Sequence, residues 1–302
     1  MDAADIAGWL KWGSGRKRKS TDISRWRVGG KAACGYLGDD LALYAKAAGS
    51  DDIWFFEDHG WATREEVGNW GEPEPVPSSV PLPPSLADAG RAEGFVRIEI
   101  RKQRQKVYNI EDLRFVLSNT YRTLLEKGDL TIEINGERVA PLALPRNSSR
   151  KDTPIDLKTS LGHRVRGWVG RLDRDKTARG ISAKRRISGG LRCTYQGRLI
   201  CSGEYFGHAG DTKGSLASLI GEVELAFVTP TPNKTDFDRG SPEWAAVEAV
   251  MHPFLAPIIR EFTKASDAGK ASRAERKTLN TVCGELAEAF RRVQRDDVWP
   301  GK

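Results

Sequence analysis

Few cysteines occur in the 302-residue chain, and their spacing excludes the common cysteine-based sites. The four cysteines contain no Cys-x-x-Cys pair, so a zinc site is not expected. Cys193 and Cys201 flank a predicted hairpin turn at Gln196-Gly197. Counting outward from that turn places Cys193 opposite Ile200 and Cys201 opposite Arg192. We therefore expect two thiols that are out of register, on opposite faces and reduced, as is typical of a cytosolic protein.

Long apolar runs are also absent. No stretch approaches the roughly 18 uninterrupted apolar residues that a membrane-spanning helix needs. The first ten residues, MDAADIAGWL, are acidic and poor in apolar side chains, so they are not typical of a secretory signal. These two absences predict a cytoplasmic protein. The four histidines have no metal-ligand spacing, and we expect structural or surface roles for them: His59, His163, His208 and His252.

Positive charge is in excess. The formal net charge is +7 and the isoelectric point is about 9.2, which favours acidic partners such as nucleotides or nucleic acids. Residues 163–186 hold nine Lys or Arg against two Asp. A solvated protein face is one explanation of this run. A nucleic-acid contact, with Trp168 as a stacking surface, is the other.

The first third of the chain alternates between helical and extended patterns. Apolar spacing predicts a helix within residues 2–12, whereas 13–26 has no periodicity and reads as a loop. A short helix over Lys31–Leu37 should end at Gly38. Strands are expected at 41–46, 52–60 and 95–102. Residues 71–84 contain six of the fifteen prolines, and we expect them to form a loop or linker that joins neither a ladder nor a helix.

The rest of the chain also mixes strands and helices. Asn109 is a predicted N-cap of a helix that runs to about Lys127 and ends at Gly128. Asn135-Gly136 predicts a hairpin turn within 130–140. Further strands are expected at about 164–172, 187–195, 198–205 and 220–228, followed by a helix that begins at Ser241 and Pro242 and a polar helical tail over 266–302. The pattern predicts an α+β protein in which two units meet near residue 108.

Two segments have the composition of a phosphate site. Gly29-Gly30 at the start of a helix lets a ligand approach the backbone, and the helix adds a partial positive charge there. A tight turn that only needs a positive φ explains the same glycines. Lys234 follows two prolines on a stiff loop, from which it could reach a phosphate as a point charge. The alternative is an ordinary solvated lysine, which is what an exposed lysine usually is.

Four segments resemble motifs of the GHKL ATPases and occur in the same order along the chain. This class includes gyrase B, MutL and the MORC proteins, in which the ATPase domain is joined to a ribosomal-S5-like transducer domain. The four segments are VGGKAACGYLGDDLALYAK (28–46), EGFVRIEI (93–100), GGLRCTYQGRLI (189–200) and TPNKTDF (231–237). The resemblance covers about residues 1–263, and the MORC-like branch is most similar. It implies an incomplete Bergerat-type ATP-binding domain, a two-layer α/β sandwich, at 1–108. An S5-like α/β transducer domain at 109–265 and the helical tail at 266–302 would follow.

The resemblance also implies roles for individual residues. The phosphates of ATP would lie on four backbone positions, those of Gly29, Gly30, Lys31 and Ala32. Residues 13–26 would be the ATP lid, with Ser14 at its hinge. Lys234 would contact the γ-phosphate, so that ATP binding closes a clamp and hydrolysis opens it. ATP and Mg²⁺ are the implied cofactors, and an ATP-dependent homodimer is the implied assembly.

Some elements of the family pattern are missing. The chain offers no match for the general-base Glu, the Mg²⁺-binding Asn or the adenine-reading Asp of the first glycine box. Asp2 and Asp5 could replace these carboxylates, but helix-start positions suit them better. We therefore expect hydrolysis only if the segment before Met1 is supplied, by an upstream start codon or by another chain. A truncated inactive remnant and a non-catalytic nucleic-acid-binding protein are the alternatives.

Overall fold

The computed structural model describes residues 3–10, 29–60, 74–76, 94–104, 109–147, 151–173, 187–208 and 216–296. The chain separates into two compact units, Met1–Arg114 and Phe115–Lys302. Helices and largely antiparallel sheets occur in both units. The predicted α+β class is therefore confirmed.

In its described residues, the first unit contains an antiparallel sheet with two helices packed on it. Its described helices are α1 (Ala3–Leu10) and α2 (Gly29–Leu37), and its described strands are β1 (Gly38–Lys46), β2 (Ile53–Asp58), β3 (Glu74–Pro75) and β4 (Phe95–Gln103). The strands lie in the order β3-β2-β1-β4 with antiparallel neighbours. Alternate residues of β1 point to one face, where Leu41, Leu43 and Ala45 are buried against Ile6 of α1 and Cys34 of α2. The predicted helices and strands are confirmed here, with α2 starting two residues early.

The proline-rich segment is one point where the prediction was wrong. Residues Glu74 and Pro75 pair with Phe55 and Trp54 of β2, and the Val76 N–H donates to the Ile53 carbonyl at 2.9 Å. Proline lacks an N–H, but its carbonyl and the amides of its neighbours can still bond to a ladder. The other residues of 71–84 lie outside the described part of the chain.

The second unit is built on a mixed sheet. Its described elements are α3 (Ile110–Thr120), which begins in the last residues of the first unit, α4 (Arg122–Lys127), β5 (Glu133–Ile134), β6 (Glu137–Arg138), β7 (Thr153–Lys158), β8 (Arg164–Arg171), β9 (Gly190–Tyr195), β10 (Arg198–Glu204), β11 (Leu219–Glu224) and α5 (Pro242–Asp296). The strand order is β10-β9-β11-β8-β7, in which β9 and β11 are parallel and the other neighbours antiparallel. Strand β7 was not predicted, because it contains Pro154 and only two apolar residues. Strand β11 ends earlier than predicted, at Glu224.

The helix predicted from Asn109 to Lys127 is interrupted. Asn109 is its N-cap, since its Oδ1 accepts the Asp112 N–H at 3.0 Å, and Gly128 ends it with φ +77°. Tyr121, with φ −108°, separates α3 from α4. Just before this break, the Asn119 carbonyl accepts a hydrogen bond from Arg192 Nη2 at 3.0 Å. A long-range bond that no local pattern reveals therefore accompanies the break.

Helix α5 covers the apolar face of the second sheet. Ser241 caps it, with its Oγ 3.2 Å from the Trp244 N–H. Its apolar stripe packs on the sheet with β8, β9 and β11: Trp244, Val247, Met251, Leu255 and Phe262 are buried, and Ile258 is partly buried. Beyond Phe262, the residues whose burial is described are exposed: Glu275, 277–282, Gly284 and Glu285. Among the described residues no helix is long and apolar enough to cross a membrane.

A buried ion cluster joins the second sheet to α4. Glu222 of β11 accepts hydrogen bonds from Arg192 of β9, at 3.2 Å, and from Arg122 of α4. The side chains of all three are at most 11% exposed. Arg122 also donates to the Leu142 carbonyl at 2.9 Å and pairs with Glu126. The guanidinium groups of Arg122 and Arg192 thus donate hydrogen bonds within the protein. A buried charge needs such partners.

The predicted separation of the two β-hairpin cysteines was wrong. Leu199 pairs with Thr194, but a bulge follows, and Cys201 then pairs with Cys193. The extra residue of the bulge is Ile200, so two residues of β10 oppose one residue of β9. Both thiols are free, and both pack in the same apolar cluster. The simple count outward from Gln196-Gly197 failed because it assumed an unbroken ladder.

Candidate functional site

The predicted phosphate-binding backbone lies in the first turn of α2. The helix begins at Gly29, so the turn contains all four predicted positions, Gly29, Gly30, Lys31 and Ala32. Main-chain N–H groups of a first turn have no intrahelical acceptor. Gly30 is exposed, which leaves its backbone accessible. The glycines are therefore helical and are not the tight turn that was the alternative. Ser14 and the predicted lid at 13–26 lie outside the described residues.

Helix α2 is held firmly at its other end. Its last residue, Leu37, is followed directly by Gly38 of β1, and the Leu37 carbonyl accepts the Arg104 N–H at 3.0 Å. A Cβ at Gly38 would lie 2.5 Å from the Arg101 carbonyl oxygen. Only glycine allows the two backbones this approach. The position of the α2 N-terminus is thus fixed by the sheet.

A buried carboxylate that sequence reasoning missed, that of Asp40, lies near the start of β1. Asp40 accepts from Lys102 Nζ at 3.0 Å, from His59 Nδ1 at 3.3 Å and from the Gly60 N–H at 3.4 Å. The hydrogen bond from Lys102, followed by those from His59 and Gly60, holds the pKa of Asp40 below its ordinary value against the effect of desolvation. A carboxylate with a lowered pKa is a weak base. Asp40 therefore does not fill the missing general-base position.

The loop that carries Lys234 is tightly bonded to itself. Pro230 and Phe237 form an isolated bridge, and the Thr231 N–H donates to the Asp236 carbonyl at 2.8 Å. Thr231 Oγ1 accepts the Asp236 N–H at 3.2 Å. At the tip, the Lys234 N–H donates to the Thr231 carbonyl at 2.9 Å, and Lys234 has φ +55°. The prediction of a stiff loop is confirmed by these bonds.

The side chain of Lys234 is half-buried beside a second cation. Burial, and after it the charge of Arg198, lower the pKa of Lys234. Arg198 begins β10, and its Nε is buried with no hydrogen-bond partner. Among the described residues, no carboxylate forms an ion pair with either side chain. Two cations that interact in this way, with no counter-ion among the described residues, favour an anion from solution.

Arg198 owes its place to a hairpin turn that Glu224 fixes. The Glu224 carboxylate accepts the Gln196 N–H at 2.7 Å and the Gly197 N–H at 3.2 Å. Both turn residues have positive φ, as a two-residue hairpin turn requires. The Arg198 guanidinium lies 5.8 Å from the centroid of the Tyr121 ring. Sequence reasoning missed Arg198, which is 36 positions from Lys234 in the chain.

The base of the Lys234 loop is tied to β10. Arg239 donates to Glu204 at 2.7 Å and to Asp236 at 2.9 Å, and its guanidinium lies 4.7 Å from the Trp244 ring centroid. Desolvation disfavours ionisation of Asp236. Hydrogen bonds from Arg239, from the Phe237 N–H and from the Cys201 thiol nevertheless hold its pKa below the ordinary value. Through Arg239, strand β10 and helix α5 thus restrain the base of the loop.

The basic segment 163–186 is described only to residue 173. Within it, Arg164 pairs with Asp156 at 2.9 Å, which neutralises part of the charge. The Arg146 guanidinium lies 4.7 Å over the Trp168 ring, so one face of that ring is occupied. These contacts leave the predicted nucleic-acid surface without support in the described part. Residues 174–186 lie outside it.

The histidines make contacts within the fold. His208 and His252 stack with centroids 3.9 Å apart, and His163 stacks on Phe227 at 4.5 Å. His59 contacts Asp40. Among the described residues, no group of three or more His, Cys, Asp or Glu could hold a metal ion.

Known proteins resemble this chain in structure and not in sequence. The chain matches no protein-family profile and no curated protein. Among solved structures, the B-subunit of the DNA gyrase from Myxococcus xanthus is similar, with a TM-score of 0.46 and 15% sequence identity. That match covers 86% of this chain and 77% of the gyrase chain. A likeness at this level carries no argument about function, which must come from the geometry of the chain's own residues.

Proposed function

We propose that the chain binds ATP in the manner of a GHKL-class ATPase and changes conformation with the state of the nucleotide. In this proposal the first turn of α2 holds the phosphates through its N–H groups. Lys234 binds the terminal phosphate. Bound ATP then restrains the Lys234 loop, and bound ADP does not.

The observation that carries the proposal is the half-burial of Lys234, on a self-bonded loop, within the electrostatic influence of Arg198. A half-buried lysine beside a second cation is electrostatically unfavourable unless an anion is bound. The burial of Lys234 and the charge of Arg198 lower the pKa of Lys234, so a phosphate there would recover the interaction that both cations lack. The self-bonded loop holds Lys234 in place before binding, so less conformational entropy is lost.

The first unit supports the same proposal independently. The nine-residue helix α2 begins with two glycines, and the one whose burial is described, Gly30, is exposed. Without a Cβ, a glycine backbone can lie in direct contact with a phosphate oxygen. Leu37 and Gly38 fix the other end of the helix to the sheet.

The described residues fit the phosphates of ATP better than they fit Mg²⁺. They include no cluster of carboxylates or histidines for a metal ion, and Asp40 is already bonded to Lys102 and His59. The residues of this chain bind and orient the phosphates. The function proposed for these residues is therefore nucleotide binding with a conformational response.

The test is the difference between ATP and ADP affinity in a Lys234→Met variant of the full chain. Removing a charge-assisted hydrogen bond costs about 1.5–3 kcal/mol, so affinity for a non-hydrolysable ATP analogue should fall about 10- to 150-fold. ADP affinity should be unchanged, because ADP lacks the terminal phosphate. Titration calorimetry measures both.

The matched control is Lys277→Met, which removes an exposed lysine on α5. It should leave both affinities as in the wild type. An equal loss of ATP-analogue and ADP affinity in Lys234→Met would contradict the assignment of Lys234 to the terminal phosphate. Absence of nucleotide binding by the wild type would contradict the proposed function itself.

A further inference from the structure

Cys193 and Cys201 lie directly opposite one another in the ladder of β9 and β10. Opposed residues of antiparallel strands have Cα atoms about 4.5–5.5 Å apart. Disulfides usually join Cα atoms about 4.4–6.8 Å apart, a range that includes the usual spacing of directly opposed residues. Among the described cysteines, Cys34 belongs to the other unit and to a different apolar cluster.

The two thiols differ in access to solvent. Cys193 is fully buried, whereas Cys201 is partly exposed. A hydrogen bond with Cys201, followed by burial, raises the pKa of Cys193 well above its ordinary value. A small oxidant from solution therefore reaches the Cys201 sulfur first, and Cys193 is positioned to attack the oxidised sulfur from across the ladder.

We propose that Cys193 and Cys201 form a reversible redox pair that hydrogen peroxide converts to a cross-strand disulfide. Peroxide oxidises the Cys201 thiol to a sulfenic acid and is itself reduced to water. The Cys193 sulfur then bonds to the Cys201 sulfur, and the sulfenic hydroxyl leaves with the Cys193 proton as a second water. Two thiols and one peroxide thus give one disulfide and two waters. An added dithiol reverses the step by thiol–disulfide exchange.

Trypsin places Cys193 and Cys201 on different peptides, so a disulfide between them can be detected as two joined peptides. Cleavage after Arg192, Arg198 and Lys213 gives one peptide of residues 193–198 and another of residues 199–213. After peroxide treatment of the folded full chain, a non-reducing digest should contain these two peptides joined, and dithiothreitol should separate them. Cys34 should remain unmodified. Absence of the joined peptides, with Cys201 oxidised beyond the sulfenic acid, would overturn the proposal.

Two variants test the order of the steps. In Cys193→Ala no thiol can resolve the sulfenic acid, so dimedone should label Cys201 strongly, whereas wild type should show little labelling. Cys201→Ser should show no joined peptide and slow oxidation of Cys193. Equal peroxide rates at Cys193 and Cys201 would contradict attack at Cys201 first. Cys201→Ser changes a partly exposed position, so it still tests the proposal if Cys193→Ala, at a buried position, does not fold.

Discussion

Thr231 and Asp236 close the base of the Lys234 loop through both backbone and side-chain bonds. The Thr231 N–H donates to the Asp236 carbonyl at 2.8 Å, and the Thr231 hydroxyl lies 2.9 Å from that carbonyl and 3.2 Å from the Asp236 amide. This closure keeps Lys234 at the tip in a left-handed conformation that a lysine rarely adopts. Preorganisation of this kind lowers the entropic cost of binding.

Replacement of Thr231 by valine should weaken nucleotide binding through the loop alone. The change keeps the side-chain shape and removes the hydroxyl, whose net hydrogen bond contributes about 1 kcal/mol. We expect affinity for an ATP analogue to fall about fivefold with ADP affinity unchanged. Titration calorimetry measures both, with Thr235→Val as the matched control because Thr235 is exposed in the same loop. An equal loss of ATP-analogue affinity in Thr235→Val would contradict the role of Thr231 in closing the loop.

Alanine at Gly30 should separate helix stability from phosphate binding. Alanine in a helix is favoured over glycine by up to about 1 kcal/mol, so the free energy of unfolding should not fall. The added methyl group would stand where a phosphate approaches, so ATP and ADP affinity should fall together. Gly284→Ala is the control, because an added Cβ there has nothing within 4 Å. Unchanged affinities in Gly30→Ala would contradict the phosphate role of the α2 turn.

Replacement of Glu222 by glutamine should destabilise the second unit strongly. The change leaves Arg122 and Arg192 buried without their shared counter-charge, which costs about 3–5 kcal/mol. Chemical denaturation followed by circular dichroism measures the loss. Glu133→Gln is the control, since Glu133 is exposed and lies 3.8 Å from Arg138, and a pair of that kind contributes at most about 1 kcal/mol. Similar losses in both variants would show that burial of the cluster contributes little.

The lowered pKa of Lys234 predicts a pH dependence with a definite sign. Below the folded-state pKa the lysine is charged in both states, and the folded protein bears the full cost of burying it beside Arg198. Between that pKa and the ordinary value of about 10.4 the unfolded chain binds more protons, so stability rises with pH through this window. Phosphate favours the charged amine, so phosphate affinity should fall over the same window.

An Arg198→Gln variant tests this cause. With the neighbouring charge removed, the pKa of Lys234 should move up toward its ordinary value, and the rise of stability with pH should become smaller. The pH profile of Lys234 acylation reports the pKa directly, with exposed Lys277 as reference. An unchanged profile would show that burial alone lowers the pKa and that Arg198 is not a partner in anion binding.

Local chemistry made much of the fold predictable. Asn109 and Gly128 bound a helical segment where capping rules place them, and Asn135-Gly136 forms the expected hairpin turn with both residues at positive φ. The apolar stripe of α5 has the 3.6-residue spacing of one helical face. These features depend on neighbours within a few positions of the chain, which a sequence displays directly.

The misses share a different physical origin. The bulge at Ile200 shifts the register by one residue, and the break at Tyr121 accompanies a bond from Arg192 to Asn119. The proximity of Arg198 to Lys234 likewise depends on how β10 and the loop after β11 pack. No spacing rule connects residues that meet only through tertiary structure, so the candidate site was half predictable: the lysine was found and its cationic neighbour was not.

Strand β11 lies between β9 and β8 although it is synthesised after both. The hairpins β7–β8 and β9–β10 can each form early from contacts that are close in the chain. The two hairpins share no sheet until β11, residues 219–224, pairs with both of them. It is parallel to β9 and antiparallel to β8. Glu222, which neutralises two arginines, is carried by that same late strand. Before residue 219 is synthesised, the two hairpins have unpaired strand edges, and Arg192 lacks the carboxylate that neutralises it. Unpaired edges favour aggregation, so a chaperone would have its largest effect at this stage of synthesis.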